Sequence, residues 1–105
     1  MKLNILLIVI LLFTFGCVAQ GTKSDREIAI ENCKRICENK LSAKEDISNG
    51  PCLSNNVTVD WVCDVAHSPR EEIDNLPENQ CSAYRAGEAH HFVELDPNCN
   101  LIRAI

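Results

Sequence analysis

Aromatic side chains are scarce in this chain: one Trp, one Tyr and three Phe among 105 residues. Beyond residue 20 only Trp61, Tyr84 and Phe92 remain, too few large anchors for a small core to hold itself together unaided. Basic clusters are missing too, none being longer than Lys34-Arg35, and the formal charge is −5. Such a surface repels phosphate backbones and anionic lipid headgroups, so nucleic acid is excluded as an expected partner. No apolar run reaches the about 20 residues that a spanning helix needs. There is no internal repeat, no low-complexity tract and no Cys-x2-Cys knuckle of the kind that structural zinc sites use.

Cysteine is what the chain has in quantity. Six of its seven, Cys33, Cys37, Cys52, Cys63, Cys81 and Cys99, follow an apolar run from Ile5 to Phe15 that Lys2 introduces. A positive n-region and a short h-region read as a signal peptide. Cleavage after Ala19 gives a leader of residues 1–19 and a single domain of residues 20–105. Alternatively, Thr14-Phe15-Gly16-Cys17 fits a lipobox, which would end the leader at residue 16 and make Cys17 a lipidation site. An uncleaved anchor is a third arrangement. Either cleavage leaves six cysteines to pair outside the cytosol, so the expected location is secreted or cell-envelope. Membrane contact is expected only through that lipid or an uncleaved leader. Loss of Lys2 takes the charge from −5 to −6. Three disulfides at about 2–4 kcal/mol each are comparable with the whole stability of a domain this small.

Ser24-Asp25-Arg26-Glu27 is a capping box that opens a helix from Asp25 to about Lys40. Ala29, Cys33, Cys37 and Leu41 repeat every fourth residue, flanked by Ile30 and Ile36, and define its apolar face. Glu31 lies one turn before Lys34 and Arg35, a spacing that supports the outer face. Ser48-Asn49-Gly50-Pro51 marks a turn. From Val57 to Val65 the pattern alternates as a half-buried strand, with Val57, Val59, Trp61, Cys63 and Val65 on one face. Thr58, Asp60 and Asp64 take the other face, where Val62 is the exception. His67 to Pro77 reads as a loop with one helical turn opened by Ser68-Pro69, and Glu78 to Ala86 as a short helix stopped by Gly87. His90 to Leu95 reads as a strand, Asp96-Pro97-Asn98 as a turn, and Leu101 to Ile105 as the returning hairpin partner.

Cys33 and Cys37 stand one helical turn apart, with Cβ atoms about 5–6 Å from each other. A disulfide needs about 3.8 Å, so among the fifteen pairings of six cysteines those joining these two drop out. The helix must be stapled to two separate places. Cys63 points to the buried side of its strand, which favours Cys33 and Cys37 taking Cys63 and Cys99, with Cys52 left to Cys81. The stapling is similar to that of cysteine-stabilised αβ peptides, although their Cys-x-Cys on a strand is absent.

Reactive side chains concentrate in Asp64-Val65-Ala66-His67-Ser68-Pro69-Arg70. An Asp beside a His can orient an imidazole as a general base, with Ser68 adjacent, although neighbours on an extended chain point apart. His90 and His91 point to opposite faces if both are in a strand. Either one with His67 and a carboxylate would make a metal site across neighbouring strands. Arg70 in an exposed Cys63–Cys81 loop has the character of a protease-engaging residue, given a disulfide-braced support. Asn56-Val57-Thr58 is a glycosylation sequon that would place Asn56 on an exposed strand edge, and Trp61 reads as a core residue.

These features add up to an α+β fold, a small disulfide-rich domain with one N-terminal helix on a small, mainly antiparallel sheet. The expected role is a non-catalytic binding or interaction module with an extracellular or cell-envelope partner and no cofactor. Two alternatives differ in class. One is a small protease inhibitor or toxin-like effector using the Cys63–Cys81 loop. The other is a metal-binding or hydrolytic protein centred on Asp64 and His67 with His90 or His91.

Overall fold

The computed structural model of the chain describes residues 21–105. The expected leader and Cys17 lie outside the described residues. Helix α1 (Asp25–Ser42) is followed by strands β1 (Cys52–Thr58) and β2 (Trp61–Val65), two 3-10 turns (Glu72–Asn75 and Pro77–Asn79), a single-turn helix α2 (Ser82–Arg85), and strands β3 (His91–Leu95) and β4 (Leu101–Ala104). The sheet order is β1-β2-β3-β4, so chain order and spatial order coincide. β1/β2 and β3/β4 are antiparallel, and β2/β3 at the centre are parallel. A parallel pair needs a crossover connection, and the chain from Ala66 to His90 supplies it.

α1 starts where the sequence indicates: the Ser24 hydroxyl accepts a hydrogen bond from the Glu27 N–H at 3.2 Å, satisfying one of the free donors of the first turn. Ala29, Cys33 and Cys37 are fully buried, and Ile30 and Ile36 pack at the margin of the same cluster. Leu41 departs from the stripe and is 40% exposed, next to the last residue of the helix. Glu31 pairs with Lys23 at 2.8 Å, not with Lys34 or Arg35. Arg26 Nε donates to the Ala104 carbonyl at 3.1 Å and Asn32 Nδ2 to the Val57 carbonyl at 3.1 Å, tying α1 to strands at both edges of the sheet.

The Val57–Val65 segment is not one strand. It reverses at Val59-Asp60, where Thr58 pairs with Trp61 and Asp60 takes φ 69°. Asp tolerates this left-handed conformation better than most residues. The turn escapes a periodicity reading because Val59, although apolar, occupies the tip at 81% exposure and keeps the alternation unbroken. The helical turn after Ser68-Pro69 begins later, at Glu72, and the expected Glu78–Ala86 helix shrinks to Ser82–Arg85, since Pro77 opens a separate 3-10 turn.

One sheet face packs on α1. Trp61, Cys63, Val65, Val93, Leu95 and Ala104 join Ala29, Cys33, Cys37, Ile47 and Cys99 in the main core. Two disulfides cross it, Cys33–Cys63 and Cys37–Cys99. The two helix cysteines thus go to different partners, as an intact helix requires. On the other face a smaller cluster gathers Val62, Cys81 and Ala89 with Phe92 and Cys52, held by Cys52–Cys81.

Candidate functional site

The parallel register of β2 and β3 builds the site on this second face. It places Val62 beside Phe92 and Asp64 beside Glu94, and the antiparallel register of β4 brings Arg103 beside Glu94. The crossover returns over these residues. Gln80, Cys81 and Tyr84 form one wall and Arg70 another, leaving a cavity of about 300 Å3, at the small end of the range for ligand pockets. Tyr84 and Phe92 meet edge to face with centroids 5.2 Å apart, and the Arg103 Cζ lies 6.0 Å from the Phe92 centroid.

Glu94 is buried and fully engaged. Arg70 NH1 donates to its Oε1 at 3.0 Å and Arg103 Nε to its Oε2 at 2.7 Å. Asp64, next to it, has no such support. Among the described residues, Asp64 Oδ1 is the one buried side-chain polar atom without a hydrogen-bond partner. Burial, reinforced by the neighbouring Glu94 charge and only partly offset by Arg70, pushes the Asp64 carboxyl up to about 8, so that at neutral pH it holds its proton.

Asp64 and His67 do not form the expected pair. The His67 ring Nδ1 lies 2.8 Å from Asp74 Oδ1 and 2.9 Å from Glu71 Oε2. Asp74 is buried, and its Oδ2 also accepts from the backbone N–H groups of His67 (3.0 Å) and Glu71 (2.9 Å). Burial alone would raise the Asp74 carboxyl, but these donors outweigh it and hold it below the usual carboxylate value. The hydrogen bond to Asp74 in turn raises His67. His67 and Asp74 therefore brace the crossover loop. Gly50 completes the brace from below: it has φ +72°, and a Cβ there would lie 2.5 Å from Asp74 Oδ1 and 3.0 Å from the Val65 carbonyl.

His90 and His91 gather at the opposite end of β2. His90 Nδ1 lies 2.7 Å from Asp60 Oδ1, and His91 Nε2 lies 3.6 Å from Asp60 Oδ2. His91 also stacks on Trp61 at 4.7 Å. The His90 contact holds the Asp60 carboxyl below its ordinary value. His67 follows β2 and this cluster precedes it, so the metal site combining His67 with His90 or His91 is not assembled. No group of three His, Cys, Asp or Glu among the described residues is placed to hold a metal ion.

Arg70 is an exposed loop residue whose side chain folds back on the protein. Its Nε donates to Asn75 Oδ1 at 2.8 Å, NH1 to Glu94, and NH2 to the Asp74 carbonyl at 3.2 Å, so the guanidinium expected to engage a protease is occupied within the chain. Ser68 lies in the loop beside a second, more open depression with His67 and Asp96, away from Asp64. Asn56 is exposed on β1, an edge strand, and Trp61 is buried.

Of the other residues that define the cavity, Gln80, Glu94 and Arg103 were not singled out by the sequence, which marks Val62, Cys81, Tyr84 and Phe92 only as packing or cross-linking residues. One signal pointed there: Val62, an apolar residue on the polar face, requires that face to be covered. No family model matches the chain, and no curated protein or solved structure does either.

Proposed function

We propose that the chain is an exported, small cysteine-rich protein, secreted or held at the cell envelope, that works as a non-catalytic binding module through its outer-face cavity. Three disulfides within so short a chain suit an oxidising compartment. The observation that carries the binding reading is the unpartnered Asp64 Oδ1 in the wall of a cavity whose other charged side chains each make an ion pair. A buried polar atom without a partner costs about 1–3 kcal/mol, and a ligand that supplies the missing hydrogen bond recovers it. Glu94, fixed between two arginines, is positioned to shape the site and not to move protons. The His67–Asp74 brace and the Cys52–Cys81 disulfide keep the walls in place without a ligand, which lowers the ordering cost of binding.

Two measurements test this. Recovery of the protein from the medium or envelope fraction, at an intact mass showing cleavage and six oxidised cysteines, supports export; recovery only from the cytosol with free thiols overturns it. A ligand-observed NMR screen of compact fragments against the oxidised protein, repeated on Gln80→Trp to fill the cavity rim, tests the site. Fragments that bind the parent and not the variant support it; equal binding to both removes the cavity as the binding site.

A further inference from the structure

We infer that the cavity recognises a small organic carboxylate with an apolar body, its carboxylate lying between the terminal nitrogens of Arg103 and the carboxyl of Asp64, and its body against Val62, Phe92 and Tyr84. This rests on the binding reading above and names the ligand chemistry for the same site.

The charges decide the sign of the ligand. Two guanidiniums, Arg70 and Arg103, face a single committed carboxylate, Glu94. Arg70 spends its nitrogens on Asn75, Glu94 and the Asp74 carbonyl. Among the described residues Arg103 spends only Nε, on Glu94, which leaves two terminal nitrogens to a side chain that lines the cavity with its Cζ 6.0 Å from the Phe92 centroid. With Asp64 uncharged, the charged groups that line the cavity, Arg70 and Arg103 against Glu94, leave one spare positive charge; Asp74 is not in the lining and is engaged by His67 and the loop N–H groups. A guanidinium edge receives a carboxylate through paired hydrogen bonds. A neutral carboxyl group supplies a further donor, which would give the unpartnered Asp64 oxygen its hydrogen bond. An amine would instead enter beside two guanidiniums, and a phosphate dianion would exceed the single spare charge.

The same geometry makes binding depend on pH. The charges acting on Asp64 are Glu94 from β3, Arg70 from the crossover loop and Asp74 from the first 3-10 turn, and Arg103 from β4 and Tyr84 from α2 line the same cavity. Across from Asp64 β1 offers only Cys52, which is in a disulfide. Once Asp64 ionises, it cancels the spare charge and loses the proton it would donate. Affinity for a carboxylate is therefore greatest well below about 8, while the ligand is still ionised, and falls as pH rises through that value.

The test is a titration of the isotope-labelled, oxidised protein with benzoate, benzylamine and benzyl alcohol, followed by backbone amide shifts. Benzoate is expected to shift the amides of Val62, Asp64, Phe92 and Arg103 saturably at pH 6, and to bind about tenfold more weakly at pH 9. Asp64→Asn is expected to abolish that pH dependence, and Arg103→Gln to weaken benzoate about tenfold. The pH profile of the unsubstituted protein stands by itself if a variant does not fold. Benzylamine binding more tightly than benzoate, or benzyl alcohol binding equally well, overturns the carboxylate inference and leaves the cavity as the site. If none of the three moves an outer-face amide in the millimolar range, the binding reading falls with it.

Discussion

The two faces of one four-stranded sheet are built on opposite terms. The inner face is dry: Cys63, Val65, Val93 and Leu95 are essentially inaccessible, and two disulfides bolt them to α1. The outer face, made by the alternate residues of the same strands, holds Asp64, Glu94 and Arg103 around a cavity and is crossed by one disulfide. Hydrocarbon and sulfur buried on one side supply the stability; polar groups on the other, one without a partner, spend part of it. A group that destabilises a small domain while lining its cavity is what the proposed binding role calls for.

The largest effect expected from breaking this contrast is at the disulfides. Full reduction should unfold the domain, and the double substitution Cys33→Ala/Cys63→Ala should cost about 4–5 kcal/mol in urea denaturation, because it opens the dry core as well as releasing the link. Cys52→Ala/Cys81→Ala should cost about 2–3 kcal/mol. The reverse order would show that the outer face carries the fold.

Next in size is Gly50→Ala, expected to cost about 2–3 kcal/mol, since both the positive φ and the approach of Asp74 oppose a Cβ there. Unchanged thermal stability would mean that the loop walling the cavity is not locked from beneath.

Substitutions at matched positions of the two faces should have opposite signs. Asp64 keeps in the folded state, up to about 8, a proton that the unfolded chain releases above 3.8. Its contribution therefore falls as pH rises between those values. Asp64→Asn should raise stability by about 1–3 kcal/mol at neutral pH and by little near the lower end of that window. Val93→Asn on the inner face should lower stability by about 3 kcal/mol at every pH. Thermal melts across pH decide this, and a destabilising Asp64→Asn at neutral pH would mean that the carboxylate is supported after all.

The smallest effect is at the brace. His67 is raised by Asp74, so its contribution is complete below the ordinary imidazole value of 6.5 and is lost as pH rises through the raised one. His67→Gln should speed amide exchange of residues 66–75 about threefold in mildly acid solution, relative to the parent, and change it little once the imidazole is neutral. Equal acceleration at both ends of that range would assign His67 a packing role only.

How far the fold was legible follows from how local each signal is. The Ser24 cap, the Ala29–Cys33–Cys37 stripe, the Gly50 turn and the Leu101 return strand all depend on neighbours within a few residues, and the structure contains each of them. The pairing of Cys33 and Cys37 with different partners follows from helix geometry alone. The Val59-Asp60 reversal was not legible, because an exposed valine at the tip imitates a continuing strand. The site was legible only in pieces. Asp64, His67 and Arg70 drew notice as reactive neighbours in sequence, yet they separate in space: Asp64 turns to Glu94, His67 to Asp74, and Arg70 inward to both Glu94 and the Asp74 carbonyl.

By itself the sequence determined the class of object: an acidic, aromatic-poor, cysteine-linked α+β domain with one long helix whose cysteines must reach two different partners. Periodicity and spacing suffice there, since secondary structure and cross-linking limits are set over short stretches of chain. Only the tertiary structure decided that β2 and β3 run parallel, which sets Asp64 against Glu94 and closes a cavity under the crossover. Strand register is settled by which faces bury the most and which charges find partners, and those contacts join residues about thirty positions apart that no local pattern connects.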